Sequence, residues 1–301
     1  MSLVSVIIPA YNAALYVRGA IDSILRQSHQ NFEIIIVDDG SKDDTKQAVD
    51  PYLSDPRILY QRQENRGPSA AKNLGAKSSK GKYLTFLDAD DFLAPDALEA
   101  MLRAFHVTQA AWLNVGVLKI SGDSRMVRHA SLPIANLRLA ILKDDFITRC
   151  PFYPRQEFFT IGMFDEEYCT REDWDINIRM SLAGRPLAIL DEPLYQYTRT
   201  EGSLTTSNRR RIYSDTERLL RKHHKRLADA GEKEVSRIYA SNMWDLARKY
   251  LYEISDPRQA IRCSWESLRY DVDLHRIVHP LIRRFGTAWF GEQPPRHRMI
   301  D

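Results

Sequence analysis

Apolar residues along the first hundred positions follow two alternating patterns. Short continuous apolar runs at 4–8, 32–37 and 83–87 have the length and composition of buried strands. Between them, apolar residues spaced three and four positions apart predict helices, for example at 15–26 and 69–77. Strands that alternate with helices over short connections are typical of an α/β fold with a mostly parallel sheet.

The pattern loosens in the middle of the chain and changes again towards its end. A strand is predicted at 112–120, and a helix at 172–182 is followed by two short strand patterns. Residues 121–154 have no clear period, and long irregular inserts of this kind usually line a site. Nearly every later segment has helical spacing. We therefore predict an α/β domain over 1–205 and a helical region over 206–301.

Charge adds to this picture at one place. The formal net charge of +3 gives no argument for a nucleic-acid partner. Residues 208–227, however, hold eight Lys or Arg and two acids, with helical apolar spacing at Ile212, Leu219, Leu220 and Leu227. Two interpretations stay open: peripheral contact with an anionic membrane surface, or a solvated helix face that is merely basic.

Cysteine usage and hydropathy bear on the compartment. Cys150, Cys169 and Cys263 lack the spacing of metal ligands and form an odd set, which is typical of reduced thiols. No apolar run approaches the roughly 20 residues of a membrane-spanning helix, and the amino terminus enters a strand pattern at once. We expect a cytoplasmic protein, neither secreted nor integral to a membrane, with peripheral contact at the inner membrane face as an open option.

Three carboxylates crowd into four positions, at Asp88, Asp90 and Asp91, directly after a strand pattern. Carboxylates this close repel one another unless a cation lies among them, and ligands of α/β sheets bind at strand ends. A divalent metal with a phosphorylated substrate is therefore one interpretation. The other is a solvated turn whose aspartates cap the next helix.

Polar turns also follow the first two strand patterns. Pro9, Tyr11 and Asn12 come after the first, where the backbone and the ring of Tyr11 could meet a nucleotide base. After the second, Asp39 belongs to the turn Asp-Asp-Gly-Ser, where a carboxylate could accept the imide hydrogen of a uracil. Taken alone, this tetrapeptide equally predicts a turn with a helix cap.

A third turn contains Gly67 and leads into a helix pattern. The first two turns of that helix carry Lys72 and Asn73, and such a helix start can hold an anion. Pro68 in the first turn is also what an ordinary helix start would show, so both interpretations remain.

Together these segments resemble glycosyltransferase family 2. The matching segments are SVIIPAYN at 5–12, IVDDGSKD at 36–43, NRG at 65–67 and LDADD at 87–91. The resemblance covers roughly residues 3–200. It implies the GT-A fold, a nucleotide-sugar donor and a Mn²⁺ or Mg²⁺ ion, with a donor half at about 1–105 and an acceptor half at 106–205. It further implies that Asp39 contacts the base, Asp88 the ribose and Asp90 the metal, with Asp91 supporting the metal site.

The acceptor half carries the family's second pattern, as GMFDE at 162–166 and REDWD at 171–175. The resemblance implies that Asp173 is the catalytic base, and an inverting transfer needs one such base on the acceptor hydroxyl. Glu172 and Trp174 beside it are expected to contact the acceptor or the diphosphate. Alternatively, the two acids are favourable charges in the first turn of a helix.

Two departures from the family pattern affect the prediction. The segment YTRTEGS at 197–203 has no histidine to assist a metal, and Arg199 is expected to contact the diphosphate unless the segment is only a connector. The Gln-x-x-Arg-Trp segment of processive synthases is missing. A single-addition enzyme is therefore the better prediction.

The sequence thus predicts a metal-dependent inverting glycosyltransferase. It would move one sugar from a nucleoside-diphosphate sugar, with UDP the expected nucleotide, to a hydroxyl of a saccharide or lipid-linked saccharide, as in bacterial polysaccharide synthesis. Two alternatives stay open: a nucleotide-sugar-binding or scaffold protein without turnover, and a sugar-1-phosphate nucleotidyltransferase. The latter normally needs a glycine-rich amino-terminal loop, and residues 9–12 contain no glycine.

Overall fold

The chain falls into two compact units, 1–219 and 220–301. A computed structural model describes residues 2–108, 110–121, 124–129, 136–147, 152–198, 208–228 and 233–270. The predicted domain boundary at residue 205 lies outside the described residues and stays a prediction.

The described strands of the first unit form one sheet. They are β1 (Val4–Ala10), β2 (Phe32–Asp38), β3 (Ile58–Arg62), β4 (Tyr83–Phe86), β5 (Phe92–Leu93), β6 (Trp112–Ser121), β7 (Ser124–Arg128), β8 (Phe152–Pro154) and β9 (Leu187–Thr198). The strand order is β3-β2-β1-β4-β8-β6-β9-β5, and β7 pairs with β6. The first four strands in this order pair in parallel, as predicted, and the remaining strands pair in both directions.

Helices cover this sheet and make up the described part of the second unit. They are α1 (Val17–Leu25), α2 (Thr45–Val49), α3 (Pro68–Ser78), α4 (Ala97–Thr108), α5 (Leu137–Lys143), α6 (Arg155–Thr160), α7 (Glu172–Leu182), α8 (Arg209–Ala228), α9 (Lys233–Tyr252) and α10 (Pro257–Tyr270). The helix predicted at 172–182 has the predicted bounds, and the irregular stretch 121–154 contains β7, α5 and β8.

The two short strands predicted after residue 186 are one strand, β9, and that prediction was wrong. β9 pairs with β6 along its length, with a register shift around Gly116. A Cβ at Gly116 would lie 2.7 Å from the carbonyl oxygen of Glu192, so the glycine lets the two backbones approach where the register shifts. The local pattern breaks at this irregularity while the strand continues.

The central strands are buried on both faces, which explains their continuous apolar runs. Val4, Val6, Ile7 and Ile8 of β1 are all fully buried. Helix α3 lies close against this sheet through Gly75, where a Cβ would come within 2.4 Å of the Cγ2 atom of Ile7. The absence of a side chain at Gly75 therefore sets how closely α3 approaches the strands.

Helix α8 contains the basic stretch 208–227 almost entirely. Its apolar residues Ile212, Leu219, Leu220 and Leu227 are each at most 9% exposed. The helix thus offers none of these four side chains to a lipid surface, which favours the interpretation as a basic helix face. Among the described helices, none has the length and hydropathy needed to span a bilayer.

Replacement of Gly75 by alanine tests the close approach of α3. In a solvent-exposed helix, replacing glycine by alanine would stabilise the helix by about 1 kcal/mol. Here the added methyl group would overlap with the side chain of Ile7, and this overpacking destabilises the fold. We expect the free energy of unfolding in urea to fall by about 1–2 kcal/mol. Lys77→Ala, at an exposed position of the same helix, is the matched control and should change stability by less than about 0.5 kcal/mol. A Gly75→Ala protein as stable as the parent would contradict this packing.

Candidate active site

The predicted donor residues lie at one edge of the sheet. β1 pairs in parallel with β2 on one side and with β4 on the other. The segments that follow these strands carry Tyr11, Asp39 and Asp88, and the carboxyl ends of neighbouring parallel strands share an edge. The structure therefore brings together three residues that the motifs predicted separately.

The turns after β1 and β2 are tied to each other by hydrogen bonds. The backbone N–H of Asn12 donates to Ser41 Oγ at 2.9 Å, and Lys42 N–H donates to Asn12 Oδ1 at 2.8 Å. Asn12 adopts a left-handed conformation with φ of 49°, which asparagine tolerates. Pro9 lies inside β1, whereas Tyr11 is half exposed, so its ring is accessible to a planar ligand.

Asp39 is buried and holds the turn that opens α3. Its Oδ1 accepts hydrogen bonds from Arg66 N–H at 2.8 Å and from Gln63 Nε2 at 2.7 Å, and its Oδ2 accepts from Gly67 N–H at 2.8 Å. Gly67 has φ of 91°, a conformation that favours glycine. A carboxylate oxygen can accept two hydrogen bonds, so Oδ2 still has capacity for a ligand. The contact of Asp39 with a base stays a prediction.

Lys72 of α3 is buried beside three carboxylates. Its Nζ lies 2.8 Å from Glu172 Oε1, 3.7 Å from Asp88 Oδ1 and 3.8 Å from Asp173 Oδ1. Burial alone would lower the pKa of Lys72, but Asp173, Glu172 and Asp88 outweigh burial and raise the pKa above its usual value. The ammonium group therefore stays charged.

This ion-pair cluster joins the two halves of the predicted site. Asp88 follows β4 in the donor half, while Glu172 and Asp173 open α7 in the acceptor half. Neither motif indicates that one nitrogen contacts all three. Lys72 was predicted to hold a nucleotide anion, and that role stays a prediction, but its contacts here are with carboxylates.

Helix α3 also fixes the chain that leads to α7. Asn73 Nδ2 donates to the carbonyl of Phe164 at 2.9 Å, and Phe164 N–H donates back to Asn73 Oδ1 at 3.0 Å. At the start of α7, Glu172 is buried whereas the side chain of Asp173 is 28% exposed. Asp173 is therefore the carboxylate that a substrate can reach.

The three aspartates after β4 have different surroundings. Asp91 is fully buried, and its carboxylate accepts hydrogen bonds from Tyr195 Oη at 2.5 Å and from Thr198 N–H at 2.8 Å. Burial, followed by the negative charge of Asp88, raises the pKa of Asp91 to about 8, although both hydrogen bonds act in the opposite direction. Asp88 and Asp90 stay partly exposed.

The donor set fits a divalent ion that is shared with a substrate. Within the described ranges, no group of three or more His, Cys, Asp or Glu is arranged to hold a metal. Mg²⁺ and Mn²⁺ prefer oxygen ligands, and Mg²⁺ often binds through one or two carboxylates plus substrate phosphates. Asp90, which is partly exposed, provides such a carboxylate, and the inward hydrogen bonds of Asp91 suit a supporting role.

Trp174 and Arg199 were also predicted to contact the acceptor or the diphosphate. Trp174 is 6% exposed, and its indole N–H donates to the carbonyl of Ile141 at 2.7 Å. The ring therefore packs between α7 and α5, and its contact with an acceptor stays a prediction. Arg199 lies outside the described residues.

Sequence reasoning missed Tyr195 and Thr198, which hold Asp91. Tyr195 Oη also lies 3.4 Å from the backbone N of Asp88, so it contacts both ends of the acidic turn. Tyr195 is nearly fully buried in a strand pattern, where a tyrosine is usually a packing residue. No local signal marked its hydroxyl as a partner of the acidic turn.

Comparison with known proteins gives matches over most of this chain. The family model for glycosyl transferase family 2 matches residues 5–167. A curated relative from Rickettsia felis, described as an uncharacterized glycosyltransferase, is 36% identical over 165 residues, which cover 54% of this chain and 27% of the relative. The matched region therefore spans about a quarter of that longer protein.

Solved structures with the same fold cover nearly the whole chain. TarS 1-349 of S. aureus, solved in complex with UDP-GlcNAc, has a TM-score of 0.70 at 18% identity, covering 94% of this chain and 92% of that one. Mannosyltransferase PcManGT from Pyrobaculum calidifontis, in complex with GDP-Man and Mn²⁺, has a TM-score of 0.58 at 16% identity, covering 95% and 80%. The predicted fold class, a GT-A-like α/β sheet flanked by helices and followed by a helical region, is confirmed.

Replacement of Lys72 by methionine tests the ion-pair cluster. The change leaves the buried Glu172 beside two other carboxylates without their shared cation, and we expect the free energy of unfolding to fall by about 3–5 kcal/mol. Lys77→Met, on the exposed side of the same helix, should cost less than about 0.5 kcal/mol. Adding Glu172→Gln to Lys72→Met should restore part of the loss, since it removes one uncompensated charge. Equal stability of the Lys72 and Lys77 variants in urea would contradict the assignment.

Proposed function

This chain belongs to glycosyl transferase family 2, and from this premise we propose its reaction. We propose that it transfers one sugar from a nucleoside-diphosphate sugar to a hydroxyl group of an acceptor. The observation that carries this proposal is the contact of one buried ammonium with both predicted halves of the site. Lys72 Nζ lies within 3.8 Å of Asp88 from the donor half and of Asp173 from the acceptor half.

The donor is proposed to bind at the strand edge. Tyr11 would stack on the base, Asp39 would accept its imide hydrogen, and Asp88 would contact the ribose. Pro9, Asn12 and Gly67 would shape the backbone around it. Proteins of the same fold were solved with UDP-GlcNAc, UDP and GDP-Man, which supports a nucleotide sugar as donor. Among these nucleotides we propose UDP.

Asp173 is proposed as the catalytic base of an inverting transfer. The acceptor oxygen forms a bond to the anomeric carbon, the bond from that carbon to the diphosphate oxygen breaks, and the hydroxyl proton passes to the Asp173 carboxylate. The nucleoside diphosphate leaves with the bonding electron pair. The partial exposure of Asp173 suits this role, because a hydroxyl group can reach it.

Lys72 is proposed to position this base. Its ammonium attracts the carboxylates of Asp173 and Asp88 towards one point. A fixed spacing between the base and the donor would keep the acceptor hydroxyl close to the sugar that it attacks. Glu172, which forms the shortest contact with Lys72, would hold the cation in place.

Asp90 would hold a Mn²⁺ or Mg²⁺ ion, with Asp91 supporting the turn from the interior. When bound, the ion would supply charge neutralisation for the departing diphosphate. The presence of Mn²⁺ in a neighbour of the same fold supports this part of the proposal. The acceptor is proposed to be a saccharide or lipid-linked saccharide that receives a single sugar.

Replacement of Asp173 by asparagine tests the catalytic role. The amide cannot accept the acceptor proton, so we expect kcat for transfer, or for donor hydrolysis, to fall by about 10²- to 10⁴-fold. Nucleotide affinity measured by calorimetry should stay the same, because Asp173 is not assigned to the donor. Asp144→Asn, at an exposed aspartate of the same half, is the control and should keep full activity.

Three outcomes of that assay decide between the alternatives. Full activity of the Asp173→Asn protein would refute the assigned base. If the parent protein binds UDP but neither hydrolyses nor transfers any donor, a binding protein without turnover is favoured. Release of pyrophosphate from a nucleoside triphosphate and a sugar 1-phosphate would favour the nucleotidyltransferase.

Replacement of Asp90 by alanine tests the metal assignment through binding alone. We expect Mn²⁺ to raise the affinity of the parent protein for UDP, and this increase to be lost in the variant, because Asp90 would hold the ion and the ion would supply positive charge for the diphosphate. Uridine lacks the diphosphate and should bind both proteins equally. An Mn²⁺ effect that persists undiminished in the Asp90→Ala protein would contradict the assignment.

A further inference from the structure

Helix α10 of the second unit carries a tryptophan on its exposed side. Trp265 is 68% exposed, and Ile261, one turn earlier, is 51% exposed. Side chains four residues apart are neighbours on a helix surface, so these two form one apolar patch. Other residues of the helix are buried, namely Ala260, Cys263, Ser264 and Ser267. The helix therefore has an inner face of small residues and an outer face with its largest apolar side chain.

Arginines surround this patch. Arg258, Arg262 and Arg269 are all exposed, and each lies one or two helical turns from Trp265 on the same side of the helix. Together with Ile261 and Trp265 they form what we term the α10 outer face. It combines an aromatic ring, an aliphatic side chain and three guanidinium groups.

The one acidic residue of α10 is directed away from this face. Glu266 forms an ion pair with Arg221 and accepts a hydrogen bond from the hydroxyl of Tyr239, and its side chain is only 14% exposed. Its negative charge is compensated within the second unit. Glu266 is therefore not part of the outer face, which carries Arg258 near one end and Arg269 near the other.

We propose that the α10 outer face docks this chain on the surface of an anionic lipid bilayer. Tryptophan favours the membrane–water interface because its ring is apolar and its N–H is polar, and Ile261 beside it adds buried apolar area. The arginines complement the negative charge of the lipid headgroups. The contact lies on a helix other than α8, whose apolar residues are buried, and it does not depend on the proposed transfer reaction.

The composition of the face favours lipid over the other partners of a basic surface. A nucleic acid would also attract arginines and could stack on Trp265, but an aliphatic side chain such as Ile261 takes no part in base stacking. A second copy of the chain would bring the same positive charges against each other, and like charges at an interface are unfavourable.

Vesicle sedimentation of the full chain tests this proposal. We expect binding to vesicles of phosphatidylcholine with 30% phosphatidylglycerol at low salt, little binding to phosphatidylcholine alone, and a steep fall as salt rises. Each arginine near an anionic surface strengthens binding about fivefold, so Arg258→Gln with Arg269→Gln should weaken it about 25-fold. Arg237→Gln with Arg248→Gln removes the same charge from exposed positions of α9 and should have a much smaller effect.

Tryptophan fluorescence provides a readout of the ring itself. The difference in emission between the parent chain and its Trp265→Phe variant should shift to shorter wavelength when anionic vesicles are added. The proposal would be overturned if both arginine double variants lost vesicle binding to the same extent, or if the emission of Trp265 did not change. It would also be overturned if light scattering showed a dimer that Trp265→Ala converts to a monomer, or if the face bound single-stranded RNA and not vesicles.

Discussion

A charged ammonium buried among carboxylates is the constraint on which the candidate site depends. Removing such a group from water costs several kcal/mol unless partners compensate it, and Lys72 has three. These three carboxylates come from the donor half and from the acceptor half, so one buried ammonium fixes the point where donor and acceptor would meet.

Helix α3 carries this constraint because several parts of the fold hold it in place. Asp39 receives the N–H groups that precede the helix, and Gly75 lets its middle lie close to β1. Asn73 then holds the backbone at Phe164, ahead of α7. The strand edge and the first turn of α7 therefore keep a defined spacing, since one rigid helix contacts both. A mobile loop in the same place would leave the base and the donor free to separate.

Much of this fold could be predicted from the sequence, for a physical reason. Strands such as β1 are buried on both faces, so their residues form continuous apolar runs. The helical spacing of α7 also predicted its first and last residues correctly. The pairing of Tyr195 with Asp91 could not be predicted, because it joins residues 104 positions apart and no local period encodes it. The continuity of β9 could not be predicted for a related reason. The register shift between β9 and Gly116 of β6 arises from the pairing of the two strands, and neither strand's sequence shows it alone.

The acidic turn shows where motif reasoning needs the structure most. From sequence, three adjacent carboxylates argue for a cation, because their mutual repulsion has to be relieved. In the fold, part of that repulsion is relieved without one. Asp91 is withdrawn from solvent and receives hydrogen bonds from Tyr195 and Thr198. Crowding of the three residues is therefore weak evidence for a metal, and the case for a metal rests on Asp90, which remains partly exposed at the strand edge.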